Sequence, residues 1–202
     1  MKEIKLTKTN RVSVLQQALE VLHAGGAIIY PTETSYGLGV DFYNQEAVDK
    51  IYKIKKRDRN KPLPVIVPDI VSASSIVNFS DKAKRLAIAH WPGPLTLVLP
   101  FKYCKWSGHC DDYLALRVSN HPFANDLVSL FGKPIISTSA NLSDTGDSYD
   151  PAKIKEQFAK SEIRPDLFID AGVLPPRLPS TIIKIDGDKI EVLRQGDLKI
   201  DL

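Results

Sequence analysis

The sequence predicts a single α/β domain over residues 1–202, a twisted mixed parallel and antiparallel sheet with flanking helices. Three observations carry this reading. Short β-prone runs alternate with amphipathic helical stretches, a tight hairpin signal lies near the C-terminus, and no internal repeat or low-complexity tract divides the chain.

Leu15, Ala18, Leu19 and Leu22 fall at i, i+3, i+4 and i+7 and Gly25-Gly26 follows, so residues 12–24 read as a helix. Ala27 to Tyr30 is a short apolar strand, ended by Pro31, which has no N–H for a sheet ladder. The Thr- and Gly-rich run 31–39 is then expected to be a loop. Ala47, Val48, Ile51 and Ile54 share one face of a helix over 45–54, and Leu63 to Val67 reads as a buried strand. Ser80 is placed to cap a helix over 81–89, and Trp91-Pro92-Gly93-Pro94 makes a rigid turn before a strand over 95–99. Another strand is expected at 114–118. Pro122 suits the first turn of a helix that ends at Phe131, with Gly132 as its left-handed close. Pro134-Ile135-Ile136 reads as a strand that delivers a polar loop at 137–141. A weaker helix near 151–159 and strands at 167–169 and 180–185 follow. Asp186-Gly187-Asp188 is a hairpin turn before a strand over 189–194, which makes the sheet mixed.

Composition narrows the function classes. With 43% hydrophobic and 25% charged residues the chain is neither disordered nor fibrous. A net charge of +3 is too small for a general nucleic-acid binder but leaves room for a local basic patch. Cys104 and Cys110 are too few for a disulfide framework, and the N-terminus has no signal-like apolar run. Nothing approaches the ~20 apolar residues of a membrane span, so a cytoplasmic protein with no membrane partner is expected. His23, His90, His109 and His121 have no paired metal spacing, and Cys104, His109 and Cys110 form no zinc pattern, so no metal site is assigned to protein ligands. The Walker A loop, the dinucleotide Gly-x-Gly-x-x-Gly turn and the Gly-x-Ser-x-Gly elbow are all missing.

Three segments carry candidate chemistry. Pro31 to Gly39 gathers hydroxyls, the Glu33 carboxylate and two glycines that permit close backbone approach, a composition suited to a small polar ligand or to an ordinary turn. Lys53 to Lys61 holds six cations and one carboxylate; its Lys and Arg suit polyphosphate, and the same charges suit a solvated helix C-terminus. Ser137, Ser139 and Asn141 alternate after a strand, so they can face one way and meet phosphate or ribose, or cap the next turn.

In this order the segments resemble the YrdC family, in particular its short-form threonylcarbamoyl-AMP synthases of the TsaC type. Tyr30 to Gly39 resembles the N-terminal signature, Lys55-Lys56-Arg57 the Lys-x-Arg pair, and Ser139-Ala140-Asn141 the Ser-x-Asn. Trp91-Pro92-Gly93-Pro94-Leu95-Thr96, Leu116-Arg117-Val118, Pro179-Ser180-Thr181-Ile182 and Leu193-Arg194-Gln195-Gly196 are similar too. Each motif alone is weak; the ordered set is specific and spans most of the chain. Asp58 stands where many relatives have proline, and Ile66 where some carry a ligand-contacting histidine. No residues correspond to the extra C-terminal domain of the family's longer form, so the short form is expected.

The resemblance implies a basic concave cavity and a nucleotidyltransferase that joins L-threonine, bicarbonate or CO2, and ATP into threonylcarbamoyl-adenylate with release of pyrophosphate. The product would pass to the transferase proteins that form N6-threonylcarbamoyladenosine at tRNA position 37, with Mg²⁺ accompanying ATP. By resemblance Thr34 and Arg117 contact threonine, with Thr32, Ser137 and Thr181 beside it. Lys55, Arg57, Lys61, Ser139, Asn141, Ser180 and Arg194 hold ATP or the adenylate. Lys55 and Arg57 are assigned the catalytic charge and are expected to face solvent in the empty site. Glu33 reads as a turn residue paired with a nearby cation rather than as a general base. The competing class is a non-catalytic module that binds double-stranded RNA or tRNA through a basic cavity. A carbamoyl-adenylate role in hydrogenase maturation ranks lower, because its acylphosphatase and zinc-binding segments have no counterpart here.

Overall fold

The computed structural model describes residues 1–103, 112–143, 145–146, 149–159 and 161–200; Cys104, His109 and Cys110, for which no zinc pattern was expected, lie outside them. In chain order the elements are β1 (Lys2–Lys5), α1 (Arg11–His23), β2 (Ile28–Pro31), β3 (Tyr36–Asp41), α2 (Gln45–Lys55) and β4 (Val65–Ile66). They continue with α3 (Ile70–Ile76), α4 (Asp81–His90), β5 (Leu95–Pro100), β6 (Tyr113–Arg117), α5 (Pro122–Phe131) and β7 (Ile135–Ser139). The last are α6 (Pro151–Ala159), β8 (Leu167–Asp170), β9 (Thr181–Asp186) and β10 (Lys189–Arg194).

The strands form one mixed sheet in the order β1-β8-β2-β3-β7-β4-β6-β5-β9-β10. Pairing is parallel for β1 with β8, β8 with β2, β4 with β6 and β5 with β9, and antiparallel at the other junctions. Successive side chains point to opposite faces, so each strand feeds two cores. Ile28, Tyr30, Ile66, Ile135, Leu167 and Ile169 meet Val14, Ala18 and Leu22 of α1 and Phe123, Leu127 and Phe131 of α5. Their strand neighbours Ile29, Val65, Ile136 and Phe168 point the other way, into the larger core with Val48 and Ile51 of α2 and Ile154 and Phe158 of α6.

Local signals set most helix ends. Asn44, Asp69 and Ser80 each accept a backbone N–H at the start of α2, α3 and α4. Pro122 opens α5, and Gly132 closes it at φ 69°.

Two expected loops are strands. After the turn Thr32 to Ser35, β3 pairs with β2 on one side and β7 on the other. Gly39 has a packing reason rather than a ligand reason: a Cβ there would lie 2.8 Å from the Tyr30 ring and 3.0 Å from Ile136 O. Likewise Ser137 and Ser139 belong to β7, registered against Gly39 and Gly37. β4 is shorter than expected, since Pro64 and Pro68 bracket it and neither can donate to a ladder. β1 and α3 were not anticipated. Among the described residues no helix is long and apolar enough to cross a membrane.

Candidate active site

A cavity of about 320 Å³ opens where the β2–β3 turn, β4, β5, β6, β7, β9 and β10 converge. This is near the lower end of the ~300–1,000 Å³ typical of small-molecule sites. Its lining combines Thr32, Thr34, Ser137, Thr138, Ser139 and Ser180 with the three arginines Arg57, Arg117 and Arg194; among the described residues it includes no carboxylate. Such a lining selects an anionic ligand rich in hydrogen-bond acceptors.

The turn is held from within. Thr32 Oγ1 donates to Ser35 O at 2.6 Å and lies 3.2 Å from Thr34 Oγ1. Arg117, at the end of β6, has its Nη1 3.4 Å from Thr34 Oγ1 and 3.0 Å from Glu33 Oε1. The Glu33 contact is an ion pair without hydrogen-bond geometry. Ser119 donates to the other Glu33 oxygen. Both side chains of the pair are sequestered, 11% exposed for Arg117 and 6% for Glu33. Glu33 is thus the cation-paired turn residue that its context suggested.

Ser137 is ordered by Tyr30, whose phenol donates to Ser137 Oγ at 2.7 Å. Burial pushes the Tyr30 phenol well above its ordinary pKa, with the Ser137 bond a smaller opposing effect, so it stays protonated and remains the donor. Ser137 therefore keeps its own O–H for a ligand acceptor.

The other two lining arginines are oriented by backbone carbonyls. Arg57 donates from Nε to Lys61 O at 3.2 Å and from Nη2 to Pro62 O at 3.0 Å. Arg194 donates from Nε and Nη2 to Ser180 O at 3.1 and 2.9 Å. Ser180 Oγ is 2.8 Å from Thr96 Oγ1 and 3.2 Å from Arg194 Nη2. The β9–β10 register shifts between Val192 and Arg194, which brings both Leu193 and Arg194 to the cavity wall.

Four sequence-assigned residues do not line the cavity. Lys55, expected to face solvent, is only 1% exposed, and its ammonium is enclosed by the Ser139–Asn141 segment. Asn141 is also buried, with Oδ1 accepting from Lys55 and Ser139 and Nδ2 donating to Gly146 O. Thr181 turns its hydroxyl away to Leu198 O at 2.6 Å and accepts Gly196 N–H at 3.0 Å. Lys61 is exposed and serves the site through its carbonyl. Ile66, where the resemblance expects a histidine in some relatives, does line the cavity. Pro62, Thr96, Val98, Ala115 and Leu193 also line it, beyond the residues that the resemblance implies. The apolar or isolated character of Pro62, Val98 and Ala115 gives no sequence signal, whereas Thr96 closes and Leu193 opens a motif already noted.

No described cluster of three or more His, Cys, Asp or Glu side chains is arranged to hold a metal ion. The Glu33 carboxylate, in the turn between the lining residues Thr32 and Thr34, is engaged by Arg117 and Ser119. The described groups therefore do not fit a resident Mg²⁺ cage, which needs several oxygen ligands.

Comparison with known proteins places the chain in a family and agrees with its fold. The Sua5/YciO/YrdC family model, described as telomere recombination, matches residues 20–196. A protein of Methanocaldococcus jannaschii named putative threonylcarbamoyl-AMP synthase is 32% identical over 200 residues, covering 99% of this chain and 94% of the relative. A threonylcarbamoyl-AMP synthase of Methylococcus capsulatus is 37% identical over 152 residues, 74% of this chain and 82% of its own. Among solved structures, P. abyssi Sua5 complexed with L-threonine superposes with a TM-score of 0.84 at 28% identity; the match covers 96% of this chain and 57% of that longer one. E. coli YciO superposes at 0.80 with 26% identity, covering 96% and 94% of the two chains.

Proposed function

The chain belongs to the Sua5/YciO/YrdC family, and from that premise we propose that it is an L-threonylcarbamoyladenylate synthase supplying tRNA N6-threonylcarbamoyladenosine formation. The observation that carries the reading is the cavity lining: three arginines and a band of hydroxyls with no carboxylate among them. Relatives bearing the synthase name and a homologous structure holding L-threonine support it.

In this reading the Arg117 guanidinium and the Thr34 and Ser137 hydroxyls hold the threonine carboxylate, with Thr32 shaping the turn beneath them. The threonine amine adds to CO2, forming an N–C bond and losing a proton to give a carbamate. A carbamate oxygen then attacks the α-phosphorus of ATP as the bond to the β-phosphate oxygen breaks, releasing pyrophosphate. Negative charge grows on the phosphoryl oxygens and the leaving group, and Arg57 and Arg194 are placed to meet it. Because backbone carbonyls already orient both guanidiniums, little reorganisation is needed as the charge develops. Ser180 and Ser139 complete the nucleotide side. Mg²⁺ enters as part of the ATP substrate rather than on a protein cage.

The test mixes protein, ATP, Mg²⁺ and bicarbonate with single amino acids and follows pyrophosphate and the adenylate by mass. Threonine-dependent formation of both is expected. Pyrophosphate release indifferent to threonine sinks the proposal.

A further inference from the structure

Lys55 is the one cation of the Lys-x-Arg pair that does not line the cavity. Its Nζ lies 2.6 Å from Ser139 O, 2.7 Å from Asn141 O and 2.8 Å from Asn141 Oδ1. The backbone repeats the link, since Ser143 N–H donates to Lys55 O at 3.0 Å. The end of α2 is thereby stitched to the segment that follows β7.

An ammonium has N–H donors and no lone pair, so the atom facing it must be an acceptor. That requirement orients the Asn141 amide, with Oδ1 toward Lys55 and Nδ2 toward Gly146 O. Oδ1 has no proton to give. The Ser139 hydroxyl, 2.6 Å from it, must therefore donate its only hydrogen there. Ser139 lines the cavity, so what its oxygen presents to a ligand is lone pairs.

We propose that Lys55 is a positioning residue: its ammonium fixes the Ser139–Asn141 segment and makes Ser139 Oγ an acceptor for a ligand O–H or N–H, such as a ribose hydroxyl, without touching the phosphates. This rests on the nucleotide reading above for its ligand, and on the ligand-free protein for its tether. It divides the Lys-x-Arg pair into two tasks. Arg57 meets the ligand, and Lys55 builds the wall.

Lysine acetylation of the unaltered protein, mapped by mass spectrometry with and without ATP, tests the burial directly. Lys53, Lys56 and Lys61, all exposed, should be modified while Lys55 is not, whether or not ATP is present. Modification of Lys55 in the empty protein, with or without protection by ATP, overturns the proposal. A Lys55→Met variant tests the consequence. Amide exchange over 139–143 should quicken by at least about tenfold in the ligand-free protein, as a locally loosened segment does. Affinity for adenosine should fall by the same factor as affinity for ATP. Unchanged exchange, or loss of ATP affinity with adenosine affinity intact, overturns it, because the second pattern marks a phosphate contact. If this variant does not fold, the acetylation pattern decides. If the unaltered protein binds no ATP, the nucleotide reading fails, while the labelling and exchange of the ligand-free protein still judge the tether.

Discussion

Replacing Arg117 by Met removes one half of an ion pair whose side chains are 11% and 6% exposed and leaves the Glu33 charge buried. Breaking such a pair from one side costs about 3–5 kcal/mol, because the remaining ion keeps its desolvation penalty and loses its partner. A domain is stable by only about 5–15 kcal/mol, so the loss is a large share. With a urea dependence of about 2 kcal/mol per molar, the unfolding midpoint should fall by roughly 2 M. Removing both charges, as Arg117→Met with Glu33→Leu, takes away the orphaned ion and should recover most of that stability. The remainder, about 1 kcal/mol, is the acceptor that Ser119 loses. Urea unfolding of the four proteins gives the coupling as a double-mutant cycle. A single-variant loss below about 1 kcal/mol, or additivity of the two changes, refutes the buried-pair reasoning. The double variant also separates folding from function: it should be folded yet release no threonine-dependent pyrophosphate. Turnover at the unaltered rate refutes the role of Arg117.

Arg57→Ala should lower turnover by about 10²–10³, the usual cost of removing one charge-stabilising donor, with the thermal midpoint unchanged because its anchors are exposed backbone carbonyls. Unaltered turnover in the pyrophosphate assay removes Arg57 from the chemistry. Gly39→Ala should cost about 1–3 kcal/mol of stability through overpacking against Tyr30, read as a fall in the unfolding midpoint. An unchanged midpoint shows that the strand yields without strain. His121 has its pKa lowered, first by burial and then by Arg11, against an opposing pull from Glu33. The unfolded chain therefore takes up the proton more readily, so this contribution is present above the unfolded value of 6.5 and lost as pH falls through it toward the folded one. His121→Gln should flatten the loss of stability between about pH 7 and 5; an identical slope in urea titrations contradicts the assignment.

What could be read in advance follows from how local the cause was. The Pro122 start and Gly132 close of α5, and the Ser80 cap of α4, are set by residues within the element, and they appear where the pattern put them. β3 escaped because Gly37 and Gly39 look like loop residues until the Tyr30 ring, on the neighbouring strand, is seen to need the space. β1 is mostly exposed, and among the described residues its only strand partner is β8, more than 160 positions away in the chain. In the site, Arg57, Arg117, Ser137, Ser139, Ser180 and Arg194 converge as the ordered motifs suggested. Residue type could not tell a lysine that meets a ligand from one that braces a loop. Nor could it show that the Thr181 hydroxyl faces the C-terminal segment.

The carbonyl anchors of Arg57 and Arg194 have a consequence for mutational scanning. Lys61 and Ser180 hold the guanidiniums through main-chain oxygen, which every amino acid possesses. A saturation library at 61 should reject residues that redirect the peptide plane, whatever their side chains. Position 61 would then matter through an oxygen that fixes the angle at which the Arg57 guanidinium points.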